Sequence, residues 1–68
     1  MEIFSQRLRE LRKEKNLTQK ELAEALDMTQ RKISYYEMGG SDPSTSTLLK
    51  IAKYFDVSVD YLLGNAPV

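Results

Sequence analysis

Gln30 and Arg31 stand side by side, with Lys32 next and Ser34 and Tyr35 one turn further on. An amide beside a guanidinium is hydrogen-bonding chemistry. Gln offers a donor and an acceptor together, which fits the edge of adenine, and Arg offers a fork that fits guanine. Alone, such residues are ordinary solvated groups, and only the frame around them gives them meaning. Catalysis has less to work with. The 68 residues contain no His and no Cys, which excludes disulfides, thiolate or imidazole metal sites and every nucleophile–His dyad. Ten carboxylates form pairs by chance, but no phosphate-cradling glycine loop accompanies them. The expectation is a protein that is not an enzyme and needs no cofactor or metal.

Bulk charge offers no shortcut. Ten Lys/Arg balance ten Asp/Glu, eight against seven in residues 1–38 and two against three in residues 39–68. That balance by itself predicts no nucleic-acid binding, so any such reading rests on where side chains point. Hydrophobic residues at 41% and charged residues at 29% suit one globular domain. No apolar run approaches the roughly 20 residues that span a bilayer, and Met1 to Ser5 lacks a signal-peptide pattern. No membrane association and a cytoplasmic location are expected.

The elements that position these residues follow the helical period. Phe4, Leu8 and Leu11 at i, i+4, i+7 define a first helix over residues 3–15, with Asn16 as a left-handed stop. Thr18 and Glu21 make a capping-box pattern for a second, short helix with Leu22, Ala23, Ala25 and Leu26 on one face. Asp27-Met28 is a tight connection, after which Thr29 caps a third helix anchored by Ile33 and Tyr36. Gly39 to Pro43 ends it. Ser44 caps a fourth helix with Leu48, Ile51, Ala52 and Phe55 inward. Ser58 caps a last helix holding Val59, Leu62 and Leu63, and Gly64 closes it. No alternating run suggests a strand. The fold class is all-α, a compact five-helix bundle over residues 1–64, with residues 65–68 as a tail.

A short helix, a tight turn and a second helix with a polar outer face make a helix-turn-helix over residues 18–38. Ala23 permits the close crossing, and Met28 can plug the angle between the helices. At about 100° per residue, Arg31, Ser34, Tyr35 and Met38 point away from the core, with Gln30 and Lys32 on the flanks. Gln30 and Arg31 occupy the first turn, the end that such a helix pushes into the major groove.

The run LTQKELAEALDMTQRKISYYEMG, followed by DPSTSTLLKIAKYFDVSVDYLLG, resembles the Xre or lambda-repressor-like helix-turn-helix family over residues 4–64. The most specific matches are Leu17-Thr18-Gln19, Glu21-Leu22-Ala23, Ile33, Glu37, Gly39, Pro43-Ser44, Leu48 and Ile51-Ala52. The resemblance implies a domain that binds operator DNA, commonly as a dimer, and regulates transcription, here as a repressor. Asp27 departs from the glycine common in the turn, though Asp tolerates left-handed geometry. Gly40 and Ser41 stand where the family often carries Lys or Arg. Tyr35 and Tyr36 are bulky for a recognition helix, so no base preference transfers.

Base contacts are therefore expected from Gln30, Arg31, Ser34 and Tyr35, and phosphate contacts from Gln19, Thr29, Lys32 and Ser44. Gln19 can also use the N–H groups at its helix start, a role the resemblance favours. Arg12 and Glu37 lie at the edges of their helices' inner faces, and family members often pair these positions. Tyr61, counted as pointing away from Val59, Leu62 and Leu63, and Tyr54 suggest a patch for a weak homodimer on a two-fold operator. Sensing an effector would need a longer chain or a partner. The rival reading is an antitoxin-like or adaptor module that binds protein on the same scaffold.

Overall fold

The first four N–H groups of a helix have no partner inside it, so a side-chain oxygen just ahead decides where the helix starts. Thr18, Thr29, Ser44 and Ser58 each supply that oxygen. They open α2 (Gln19–Ala25), α3 (Gln30–Met38), α4 (Thr45–Phe55) and α5 (Val59–Leu63); α1 (Glu2–Glu14) precedes them. At α2 the capping box is complete: Thr18 Oγ1 accepts from the Glu21 N–H, and Glu21 Oε1 accepts from the Thr18 N–H. The structure, a computed structural model, describes residues 2–65, and among them there is no strand. The all-α five-helix architecture matches the periodicity, with α1 starting and ending one residue early. Of the expected tail, residues 66–68 lie outside the described residues.

The helix ends use left-handed residues. Gly39 and Gly64 close α3 and α5 at φ 77° and 81°, and Asn16 and Asp27 follow α1 and α2 at φ 57° and 55°. Asp56 ends α4 in the same way, at φ 56°. Asn and Asp visit this region more readily than other side chains because they can bond locally. Asp27 therefore does the work of the missing turn glycine.

Each helix contributes to one core. Phe4 and Leu8 of α1, Leu22 of α2, Ile33 of α3, Ile51 of α4 and Leu62 of α5 are all fully buried. Each such side chain stabilises the fold by about 1.5–3 kcal/mol relative to exposure. α3 packs on α1 and α2, while α5 packs on α1 and α4. The Phe4 and Tyr36 rings meet edge to face at 5.9 Å, and Ser5 Oγ donates to the Tyr36 carbonyl at 2.5 Å. Lys50 Nζ donates to the Leu26 carbonyl at 3.0 Å, tying α4 to the end of α2.

Two inward–outward assignments change. Ala25 is exposed, because the buried stripe of α2 runs through Leu22, Ala23 and Leu26 only. Tyr61 is 8% exposed and belongs to the core, so it is not the dimer patch expected of it. Val59 and Leu63 are only half-buried, and the inner face of α5 is centred on Tyr61 and Leu62. The Arg7 guanidinium carbon lies 4.2 Å from the Tyr61 ring centroid, and Arg7 Nη1 donates to the Tyr61 carbonyl at 2.5 Å. Tyr54 is half-buried, edge to face with Phe55 at 5.0 Å and 5.4 Å from Lys15 Nζ.

Candidate nucleic-acid interface

The angle between α2 and α3 is set by small and apolar residues. Ala23 is 2% exposed, and the Met28 N–H bonds the Ala23 carbonyl at 2.8 Å, closing the turn. Met28 packs against the core from inside that turn. Ile33 and Tyr36 then bury one face of α3, which leaves the opposite face to solvent.

That outer face carries the expected readers. Gln30, Arg31 and Tyr35 are exposed and Ser34 is half-buried. Arg31 Nε donates to Tyr35 Oη at 3.2 Å, and its guanidinium carbon lies 5.6 Å from the Tyr35 ring centroid. Ser34 Oγ leans on Met38 Sδ at 3.8 Å, and Met38 is 77% exposed at the far end of the helix.

The expected phosphate-binding residues differ in what the fold leaves them. Thr29 Oγ1 accepts from the Lys32 N–H at 3.1 Å, so its own O–H can still donate outward. Lys32 is exposed and lines a shallow cleft of about 350 Å³ with Asp27, Met28, Thr29 and Thr47. Asp27 at that cleft opposes the lysine charge. Ser44 is occupied at its cap: its Oγ accepts from the Thr47 N–H at 3.2 Å and donates to Thr47 Oγ1 at 3.0 Å. Thr47 was not singled out from the sequence, although its place three residues after Ser44 is the signal.

Gln19 is tied to a network beneath the interface. Its Nε2 donates to Glu37 Oε1 at 3.1 Å. Arg12 donates to the same carboxylate through Nε at 2.6 Å and Nη2 at 3.1 Å, and through Nη1 to the Leu17 carbonyl at 2.8 Å. Arg9 Nη1 also donates to the Glu37 carbonyl. One buried carboxylate thus holds α1, the start of α2 and α3 in register. Because Nε2 carries two hydrogens, Gln19 keeps one donor for an outside acceptor.

Among the described residues no group of His, Cys, Asp or Glu could hold a metal ion. Among them, too, no helix is long and apolar enough to cross a membrane. A larger cleft, about 430 Å³, lies at the opposite end of α3 between Glu2, Ser5, Arg9, Met38 and Gly39.

A capped short helix, a turn plugged by an apolar residue and a second helix with a polar outer face define a helix-turn-helix domain, the architecture of DNA-binding regulators. A helix-turn-helix family model matches residues 8–62, and the chain belongs to that family, the Xre or lambda-repressor-like one. It is 46% identical over 65 residues to the HTH-type transcriptional regulator ImmR of Bacillus subtilis, covering 96% of this chain. It is 43% identical over 62 residues, 91% of this chain, to the HTH-type transcriptional activator BcrR of Enterococcus faecalis. To the cryptic phage CTXphi transcriptional repressor RstR of Vibrio cholerae it is 31% identical over 64 residues, 94% of this chain. The chain spans 51% of the length of ImmR, 30% of BcrR and 58% of RstR.

Proposed function

We propose that this domain is a sequence-specific DNA-binding unit that regulates transcription, with α3 in the major groove of an operator. The observation that supports this reading is the exposed first turn of α3, where Gln30 and Arg31 stand clear of the core on a helix braced from behind. Gln30 and Arg31 read base edges, with Ser34 beside them. Thr29, Lys32 and the remaining Gln19 hydrogen meet phosphates and set the register. Ser44 contributes by fixing the start of α4 rather than through a spare hydroxyl hydrogen.

With a net charge of zero, one copy makes few phosphate contacts, and those supply most non-specific binding energy. The reading therefore includes two weakly associating copies on a two-fold operator, with recognition helices about 34 Å apart. It also includes repression as the output, an action in the cytoplasm, and no catalytic role. RstR carries repression in its name and BcrR activation, so a reporter placed behind the selected operator decides the sign.

Selection of bound duplexes from a random pool, followed by titration across salt concentrations, tests the reading. A defined, two-fold-related consensus and a steep salt slope are expected. A flat salt response with no enriched sequence would sink it in favour of a protein-binding module.

A further inference from the structure

The Tyr35 hydroxyl, at a position expected to meet bases, already has a partner on its own helix. Its Oη accepts the Nε–H of Arg31 at 3.2 Å, one turn back along α3, and the guanidinium lies 5.6 Å from its ring centroid. A guanidinium has five N–H donors, and the one on Nε is not part of the terminal fork. Holding Nε therefore leaves both Nη groups for the O6 and N7 acceptors of guanine while removing freedom from the stem.

The tyrosine is itself braced. The Gly40 N–H bonds the Tyr35 carbonyl at 2.9 Å, and a Cβ built on Gly40 would lie 4.0 Å from Tyr35 Cδ1.

We propose that Tyr35 is a positioning residue: its hydroxyl pre-orients the Arg31 fork and so sharpens the preference for guanine at the base pair Arg31 reads. This inference rests on the proposed function, because it presumes that Arg31 faces a base. Both residues are exposed on α3, so substituting them leaves the core intact.

The test uses the duplex selected from the random pool and its single-base variants, with Arg31→Ala, Tyr35→Phe and the double variant. Arg31→Ala identifies the base pair that Arg31 reads, by loss of preference there alone. Tyr35→Phe keeps the ring and removes the hydroxyl, and it is expected to lower the guanine preference at that pair about three- to tenfold, the worth of one exposed hydrogen bond. Preferences elsewhere and the salt slope stay as in the parent. On the Arg31→Ala background, Tyr35→Phe has no effect. In the free protein, the Arg31 Nε–H resonance is expected to shift and exchange faster in Tyr35→Phe.

An unchanged guanine preference in Tyr35→Phe overturns the positioning role and leaves DNA reading by Arg31 intact. Equal losses on both backgrounds also overturn it, since the hydroxyl would then contact DNA directly. If Arg31→Ala moves no preference at any position, the assignment of Arg31 as a base reader falls and this role falls with it.

Discussion

Replacing Arg12 by Met removes a cation and keeps much of its length, so it probes the carboxylate beneath α3. The Glu37 side chain is 3% exposed and that of Arg12 14%. The carboxylate accepts three hydrogen bonds from side chains, two of them from Arg12 and one from Gln19. Arg12→Met leaves a buried negative charge with the Gln19 amide as its one remaining side-chain donor, and strips the donor from the Leu17 carbonyl. Breaking a buried pair in this way costs about 3–5 kcal/mol. A domain of this size has roughly 3–10 kcal/mol in total, at about 0.05–0.15 kcal/mol per residue. The single variant should therefore be partly unfolded at room temperature, or close to it. Arg12→Met combined with Glu37→Leu removes both charges, and buried pairs replaced by apolar side chains are often neutral. The double variant should be more stable than Arg12→Met alone, with a coupling energy of at least about 3 kcal/mol, the cost that the single variant suffers and the double escapes. Urea titrations of parent, both singles and the double, followed by circular dichroism, measure this, and equal m-values keep the comparison valid. A coupling energy near zero refutes the reasoning, since it would mean two charges independently solvated.

Arg31→Ala is expected to weaken operator binding by about 1–3 kcal/mol, chiefly by losing discrimination at one base pair. Lys32→Ala should weaken specific and random duplexes alike and reduce the salt slope by about one unit, read from the same titrations. Gly64→Ala should destabilise more than Gly39→Ala. Both sit at positive φ, but a Cβ at Gly64 would lie 2.8 Å from Ile3 Cγ2, against 3.6 Å from Ser5 Oγ at Gly39; thermal melts compare the two. Tyr61→Glu should lower the melting temperature sharply, because it puts a carboxylate at a core position; an unchanged melt would contradict the burial of Tyr61.

The sequence by itself determined whatever depends on groups within about four residues of one another. Helix starts at Thr18, Thr29, Ser44 and Ser58 and helix stops at Asn16, Gly39 and Gly64 are local contests between side chain and backbone. The polar outer face of α3 was legible for the same reason, since nine residues with two buried anchors fix the phase of a helix. The phase of α5 was not. It has five residues, and an angular count that takes Val59, Leu62 and Leu63 as inward turns Tyr61 outward, whereas Tyr61 and Leu62 are the buried pair. Packing against α1 decided the matter, through an Arg7–Tyr61 contact 54 residues apart in the chain. Tertiary structure likewise decided what each polar group has left to offer. Gln19 and Ser44 both looked like phosphate ligands at helix starts. Gln19 was drawn to Glu37 because α3 crosses beside it, while the Ser44 hydroxyl was taken up by Thr47. Residue type sets how many hydrogen bonds a side chain can make. Which of them remain for DNA depends on the neighbours that folding brings within 3 Å or so.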